Sequence, residues 1–445
     1  MIFSLIIIFL AVLWIILGIS FLKWHPFIVL FTATLFLAIL LKIPLLETLR
    51  LFKKGFGKIV QNIGLLILFG SIIGIALERL LATFSIANWV LKHLNRLPLP
   101  YCVSFIGYFV SIPVFCDAAF VILSQLNKTL SQKTKTPLVG LTVALSTGLF
   151  APHVLVPPTP GPLAAASNLN LENLFLLITS GVLIAFILIL VGGAYGNYLI
   201  KNHPSVAIGK DLKITSSQMN QKNLPPLIKA ISPILIPLLL MCIGGLLNFL
   251  PKNTVGISYM ILITKPTIAL GLGMLLAFRL TNFNRKKFIY DTILKGIKQA
   301  FPILIITGMG GALGTIIQTI PFQDYVLGIN SFESLGILIP FSIAALLKTA
   351  QGSSTVAIIT TSSIVFPLLS LLGLDGEMGK VWTIMAIGVG SMTVSHVNDS
   401  YFWIVSQMSG IDIKTAIKTH TLGTFFQGIV GLTVIFIGFS LWKII

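Results

Sequence analysis

Ser111-Ile112-Pro113-Val114-Phe115-Cys116-Asp117-Ala118-Ala119-Phe120-Val121-Ile122-Leu123 is an apolar run broken by a proline and, four residues on, by a carboxylate. Proline has no N–H and clashes with the preceding turn, so a helix entering this run cannot pass through it unbroken. A carboxylate in hydrocarbon costs about 2.5–3.5 kcal/mol on insertion scales. The chain keeps a second one in Ser395-His396-Val397-Asn398-Asp399-Ser400-Tyr401-Phe402-Trp403, from a total of only twelve acidic residues. In lipid, a broken backbone survives only where it faces protein or a water-filled cavity. Two acids placed at such breaks point to a protein that moves something across a membrane.

The composition around these runs sets the class. Mean hydropathy is +1.00 and 9% of residues are charged, against about 25% in soluble domains. Uncharged stretches recur at 2–22, 26–41, 59–77, 174–200 and 421–441. Each reaches or approaches the roughly 20 residues a helix needs to span about 30 Å of hydrocarbon. The expected fold is an all-α polytopic membrane protein with about 11–14 transmembrane segments, in two repeats with broken helices and re-entrant hairpins. The start of the chain lacks a basic n-region and reads as a first transmembrane helix, not a leader. The net charge of +18 collects in 42–58, 128–135, 201–229 and 279–298. By the positive-inside rule these four segments are expected to be cytoplasmic, beside anionic lipid, and nucleic-acid binding is not supported. Three cysteines in apolar surroundings have neither metal-ligand nor disulfide spacing.

The polar segment 201–228 is expected to be a cytoplasmic linker between repeats at 1–200 and 229–445. Breaks recur across it in the same order. Pro113 precedes Gln351-Gly352, and Pro152-His153-Val154 precedes Ser395-His396-Val397, at an offset of about 240 residues. Basic loops that all face inward would make the repeats parallel, whereas an inverted pair needs an odd number of crossings in each. We favour inversion, with re-entrant candidates at 101–126, 149–167, 340–366 and 388–408.

Each break carries site candidates. Gly352 permits backbone conformations closed to other residues, and Ser353, Ser354 or Thr355 can cap a following half-helix. Such an N-terminus is a ready site for a carboxylate. Gln351, Gly352, Ser353, Ser354 and Thr355 are therefore substrate-binding candidates, with Asn398 and Ser400 for hydroxyls. Asp399, Asp117 and His396 are candidates for proton coupling, Asp399 foremost; histidine titrates near 6.5 in water. Lys348 adds a charge beside the second break or snorkels to the interface. His153 and Thr159 belong to the proline-rich run 152–162, read as a cavity-lining loop. No metal or other cofactor is expected.

The same segments resemble the signature segments of the gluconate permease family, within the ion-transporter superfamily. The likeness runs from about Gly55 to the C-terminus. It rests on Pro113 to Val121, on Ala350-Gln351-Gly352-Ser353-Ser354-Thr355-Val356-Ala357, and above all on Ser395 to Trp403. Where that family resembles Pro-Pro-His-Pro-Gly-Pro, this chain has Thr159 in place of the imidazole, so glycerate, other sugar acids and D-serine become comparable substrates. The resemblance implies hairpins, an inverted repeat, an elevator-like movement and commonly a homodimer. It also implies a multi-pass protein of the bacterial cytoplasmic (inner) membrane. The expected function is proton-coupled uptake of a small hydroxy carboxylate such as gluconate or a related sugar acid. Sodium coupling is the second transport reading. A membrane-embedded enzyme with an aspartate pair is a third, which no H-E-x-x-H or G-x-S-x-G motif supports.

Overall fold

A computed structural model of the chain describes residues 2–202, 224–247, 255–281, 285–320 and 336–444. Most of the expected linker, 203–223, lies outside them. Among the described residues the regular structure is entirely helical. The first half holds α1 (Ile2–Ser20), α2 (Pro26–Leu40), α3 (Leu45–Arg79), α4 (Ala82–His93), α5 (Leu99–Ser111), α6 (Cys116–Thr134), α7 (Leu138–Leu155), α8 (Pro160–Asn168) and α9 (Leu174–Asn202). The second holds α10 (Leu227–Leu247), α11 (Val255–Thr264), α12 (Pro266–Arg279), α13 (Arg285–Ile317), α14 (Leu338–Gln351), α15 (Ser354–Val365), α16 (Glu377–Gly390), α17 (Ser400–Ser409), α18 (Ile413–Ala416) and α19 (Leu422–Ile444). Among the described residues, six helices are long and apolar enough to cross a membrane, and five shorter ones are apolar.

Two long helices form a frame. Arg79, the last residue of α3, reaches Asp291 at 3.5 Å and Thr292 at 2.7 Å, near the start of α13. At the opposite end, Gly55 of α3 lies directly against Gly311 and Thr315 of α13. The two helices are thus antiparallel, and glycines at their crossing let the backbones touch, as close packing in lipid requires. This geometry corrects the reading of the basic segments. Residues 42–58 lie at one end of the antiparallel pair and 285–298 at the other, so they cannot share a side of the membrane.

The interrupted stretches divide into two kinds. Pro100 of α5 and Gly140 of α7 both lie against Gly196 of α9, close to Lys201. The α5–α6 unit therefore enters and leaves at the Lys201 end, as a re-entrant hairpin turning at 112–115. By contrast, α7 and α8 cross: Lys58, at the far end, donates to Asn170 just beyond α8 at 2.8 Å. In the second half α14 and α15 fold back on each other at Gly352. The α16–α17 pair crosses, with Lys380 donating to the Asn170 carbonyl at 3.0 Å and Ser409 accepting from Thr142 at 3.1 Å. The order of long helix, hairpin, broken helix and long final helix thus occurs twice. Every residue of α7 is buried, which places this helix at the centre of the molecule.

Candidate functional site

Four helices begin at breaks in the interior, and local sequence explains each. Pro113 ends α5, and α6 restarts at Cys116 with Asp117 in its first turn. Pro160 opens α8 after Thr159, whose buried hydroxyl donates to the Val156 carbonyl at 2.6 Å. Gly352 ends α14 with φ +87°, a left-handed conformation that glycine adopts without strain. Ser353 then caps α15, its hydroxyl accepting from the Val356 N–H at 3.4 Å. Asp399 caps α17, accepting from the Tyr401 N–H at 3.0 Å.

These breaks converge on one ion pair. Lys348 Nζ and Asp399 Oδ2 are 2.6 Å apart, with side chains only 1% and 4% exposed. Lys348 also donates to the Gly352 carbonyl and lies over the Phe150 ring, 5.4 Å from its centre. Lys348 is therefore not a snorkelling side chain; it is the buried counterion of Asp399. The Ser395 hydroxyl donates to the same carboxylate oxygen. Around the pair stand Tyr401, with its ring centre 5.1 Å from Phe150 and 6.1 Å from Phe120, and His153, 5.8 Å from Phe115. Asp117 and His153 lie within Coulombic reach of both charges. Asp117 makes no ion pair among the described residues.

The remaining sequence candidates divide. Gln351 bonds locally to Ser353, and Ser354 is buried in the first turn of α15, with Thr355 beside it. His396 and Asn398 both engage the Thr349 carbonyl, tying the 395–399 loop to the end of α14. Ser400, the first residue of α17, is exposed. The sequence reading missed His420. Its ring lies between Ser395 Oγ at 3.2 Å and Ser146 Oγ at 3.0 Å, and Tyr401 donates to the Ser146 carbonyl at 2.9 Å. His420 sits in a π-helical turn, 417–421, a feature often found at functional sites. The signal available in sequence was slight: Lys418-Thr419-His420-Thr421, polar residues leading into an apolar helix.

A space of about 10 Å³ separates the breaks from α3, bounded by Ile67, Gly70 and Ser71 on one side and Pro113, Phe115 and Thr159 on the other. That is at most room for one water, so a larger ligand enters only if the two sides part. Among the described residues, buried polar atoms of Ser71, Ser111 and His153 have no partner. Among the described residues no cluster of acids, histidines and cysteines is suited to a metal.

Comparison with known proteins agrees with this architecture. A permease of Haemophilus influenzae is 33% identical over 414 residues, covering 87% of this chain and 83% of its own. The gluconate permease of Pseudomonas aeruginosa is 27% identical, covering 93% of this chain and 92% of its own. The D-serine transporter DsdX of Escherichia coli K12 is also 27% identical, covering 92% of each chain. In fold, the chain is similar to the YdaH transporter of Alcanivorax borkumensis, with a TM-score of 0.66 and 16% identity, over 94% of this chain and 99% of that one. The family model for GntP family permeases matches residues 3–441. The chain is a multi-pass membrane transporter, not an enzyme, and belongs to the GntP family of permeases.

Proposed function

We propose that the protein imports a small hydroxylated carboxylate together with a proton, across the bacterial cytoplasmic membrane. The observation that carries this reading is the buried Lys348–Asp399 pair where four interrupted helices meet. The relatives that carry gluconate or D-serine by name suggest the substrate class: a carboxylate on a small polar skeleton.

The pair itself suggests how coupling works. Separating two buried charges is unfavourable, because leaving one uncompensated costs about 3–5 kcal/mol. A substrate carboxylate that takes Lys348 from Asp399 leaves exactly one such charge. A proton on Asp399 removes it. The site starts with one cation and one anion, gains an anion and a proton, and ends with the same net charge. Neither ligand then binds well without the other, which is the condition for symport. Ser353 and the first N–H groups of α15 would assist the carboxylate. Asp117 and the orphaned Ser111 and His153 atoms would meet hydroxyls or a second proton.

Access would alternate as the hairpins and broken helices move past α3 and α13. The two units, 1–200 and 229–445, would be inverted copies, as the antiparallel frame helices suggest. Reconstituted vesicles test the whole reading. Uptake of gluconate, glycerate or D-serine should follow an imposed pH gradient at constant Na⁺. Uptake that follows a Na⁺ gradient at fixed pH instead would replace the proton with sodium.

A further inference from the structure

A cavity of about 150 Å³ lies at the Lys58 end, walled by α3, α13 and the last turns of α8 and α15. Lys54 and Lys58 line it, and among the described residues no acid does and neither lysine forms an ion pair. Lys58 instead donates to a neutral acceptor, the Asn170 amide oxygen, at 2.8 Å. The same wall carries Asn168, only 8% exposed. Its amide nitrogen is fully used, by the Ser362 and Ser363 hydroxyls at 2.8 and 3.0 Å and by the Ile359 carbonyl at 3.2 Å. Among the described residues its buried amide oxygen has no donor, and the Ser167 hydroxyl beside it is also without a partner. A buried acceptor left without a donor is costly, so this wall suits a ligand that brings hydroxyl groups to it.

We propose that this cavity is a second binding station for the transported anion, holding its carboxylate between Lys54 and Lys58 while a hydroxyl donates to Asn168. The proposal rests on the import of a hydroxy carboxylate argued above. Lysines near helix C-termini also offset the partial negative charge there, but that role leaves the Asn168 oxygen unexplained. Placement supports a station on the substrate's path. The twelve-residue helix α15 has this cavity at its C-terminal end and Ser353 at its N-terminus. At 1.5 Å per residue, about 18 Å separates the two. The Lys201 end gathers the basic segments 128–135 and 285–298, so by the positive-inside rule it is cytoplasmic and the Lys58 end faces out. The cavity would then concentrate anions from outside before the central site opens.

Thiol labelling tests this without knowing the substrate. A Gln318→Cys chain, with a reporter on the cavity wall, is treated in intact cells with negatively and positively charged methanethiosulfonates. The unsubstituted chain supplies the background from its own cysteines. Each rate is taken relative to the same reagent's rate with a free thiol in solution, and on that scale the anionic reagent should react about tenfold faster than the cationic one, the low end of electrostatic focusing in a charged cleft. The preference should vanish in Lys54→Gln/Lys58→Gln, and millimolar gluconate or glycerate should slow the reaction where methyl glucoside does not. Equal relative rates for the two reagents, or a preference that survives loss of both lysines, overturns the proposal. So does labelling that requires permeabilised cells. If labelling and protection behave as expected but vesicles accumulate none of the acids, the import reading fails while the anion site stands.

Discussion

At the scale of residues, the Lys348–Asp399 pair assigns roles that the sequence left open. Asp399→Asn should abolish accumulation driven by a pH gradient, while counterflow exchange persists, because substrate can still reach Lys348. Vesicle uptake and counterflow measured side by side check this, and accumulation at the unsubstituted level would remove Asp399 from coupling. Lys348→Gln alone leaves a buried carboxylate uncompensated and should destabilise the protein by about 3–5 kcal/mol. Lys348→Gln/Asp399→Asn, with neither charge, should recover most of that loss in thermal unfolding. Asp399 and its neighbours were legible from sequence because they form one continuous polar run. The counterion was not, because Lys348 lies 51 residues away and only folding brings it within 2.6 Å. His420 shows the limit more plainly. A lone histidine at the head of an apolar helix says nothing until Ser395 and Ser146 are seen on either side of it.

At the scale of elements, proline and glycine announced the breaks but not what the chain does after each. Pro113 and Gly352 both turn re-entrant hairpins, whereas the prolines at 157–162 and the 391–399 loop interrupt helices that go on to cross. Local chemistry is similar in both cases, and the difference lies in which neighbour each following helix packs against. The α5–α6 tip and the α7–α8 break both lie on glycines of α3. A Cβ at Gly74 would stand 2.7 Å from the Pro113 carbonyl oxygen, and one at Gly70 3.3 Å from that of Pro158. Gly74→Leu should therefore hold the α5–α6 tip off α3 and stop transport, while gluconate or glycerate binding, read as a thermal shift, is kept. Loss of binding together with transport would mean that Gly74 serves folding alone. At Gly352 a Cβ would collide with the Asn398 carbonyl, and the positive φ is unfavourable for any other L-residue. Gly352→Ala should accordingly lower both thermal stability and uptake.

At the scale of the whole molecule, the antiparallel α3–α13 pair fixes the relation between the ends. Residues 42–58 and 285–298 lie on opposite sides, so single cysteines at Lys53 and Lys287 should label from opposite faces of the membrane. Labelling of both from one face would contradict the frame. The sequence alone determined that this is a helical membrane protein, since an apolar surface of this extent has no stable place in water. It also determined where the helices break, because proline, glycine and capping residues act within one turn. Which breaks are hairpins, which acid has a cation, and which basic segments share a side were decided only by the tertiary structure. Those properties depend on contacts between residues far apart in the chain, and in lipid such contacts form by close packing of small residues and the pairing of buried charge, neither of which a single segment displays.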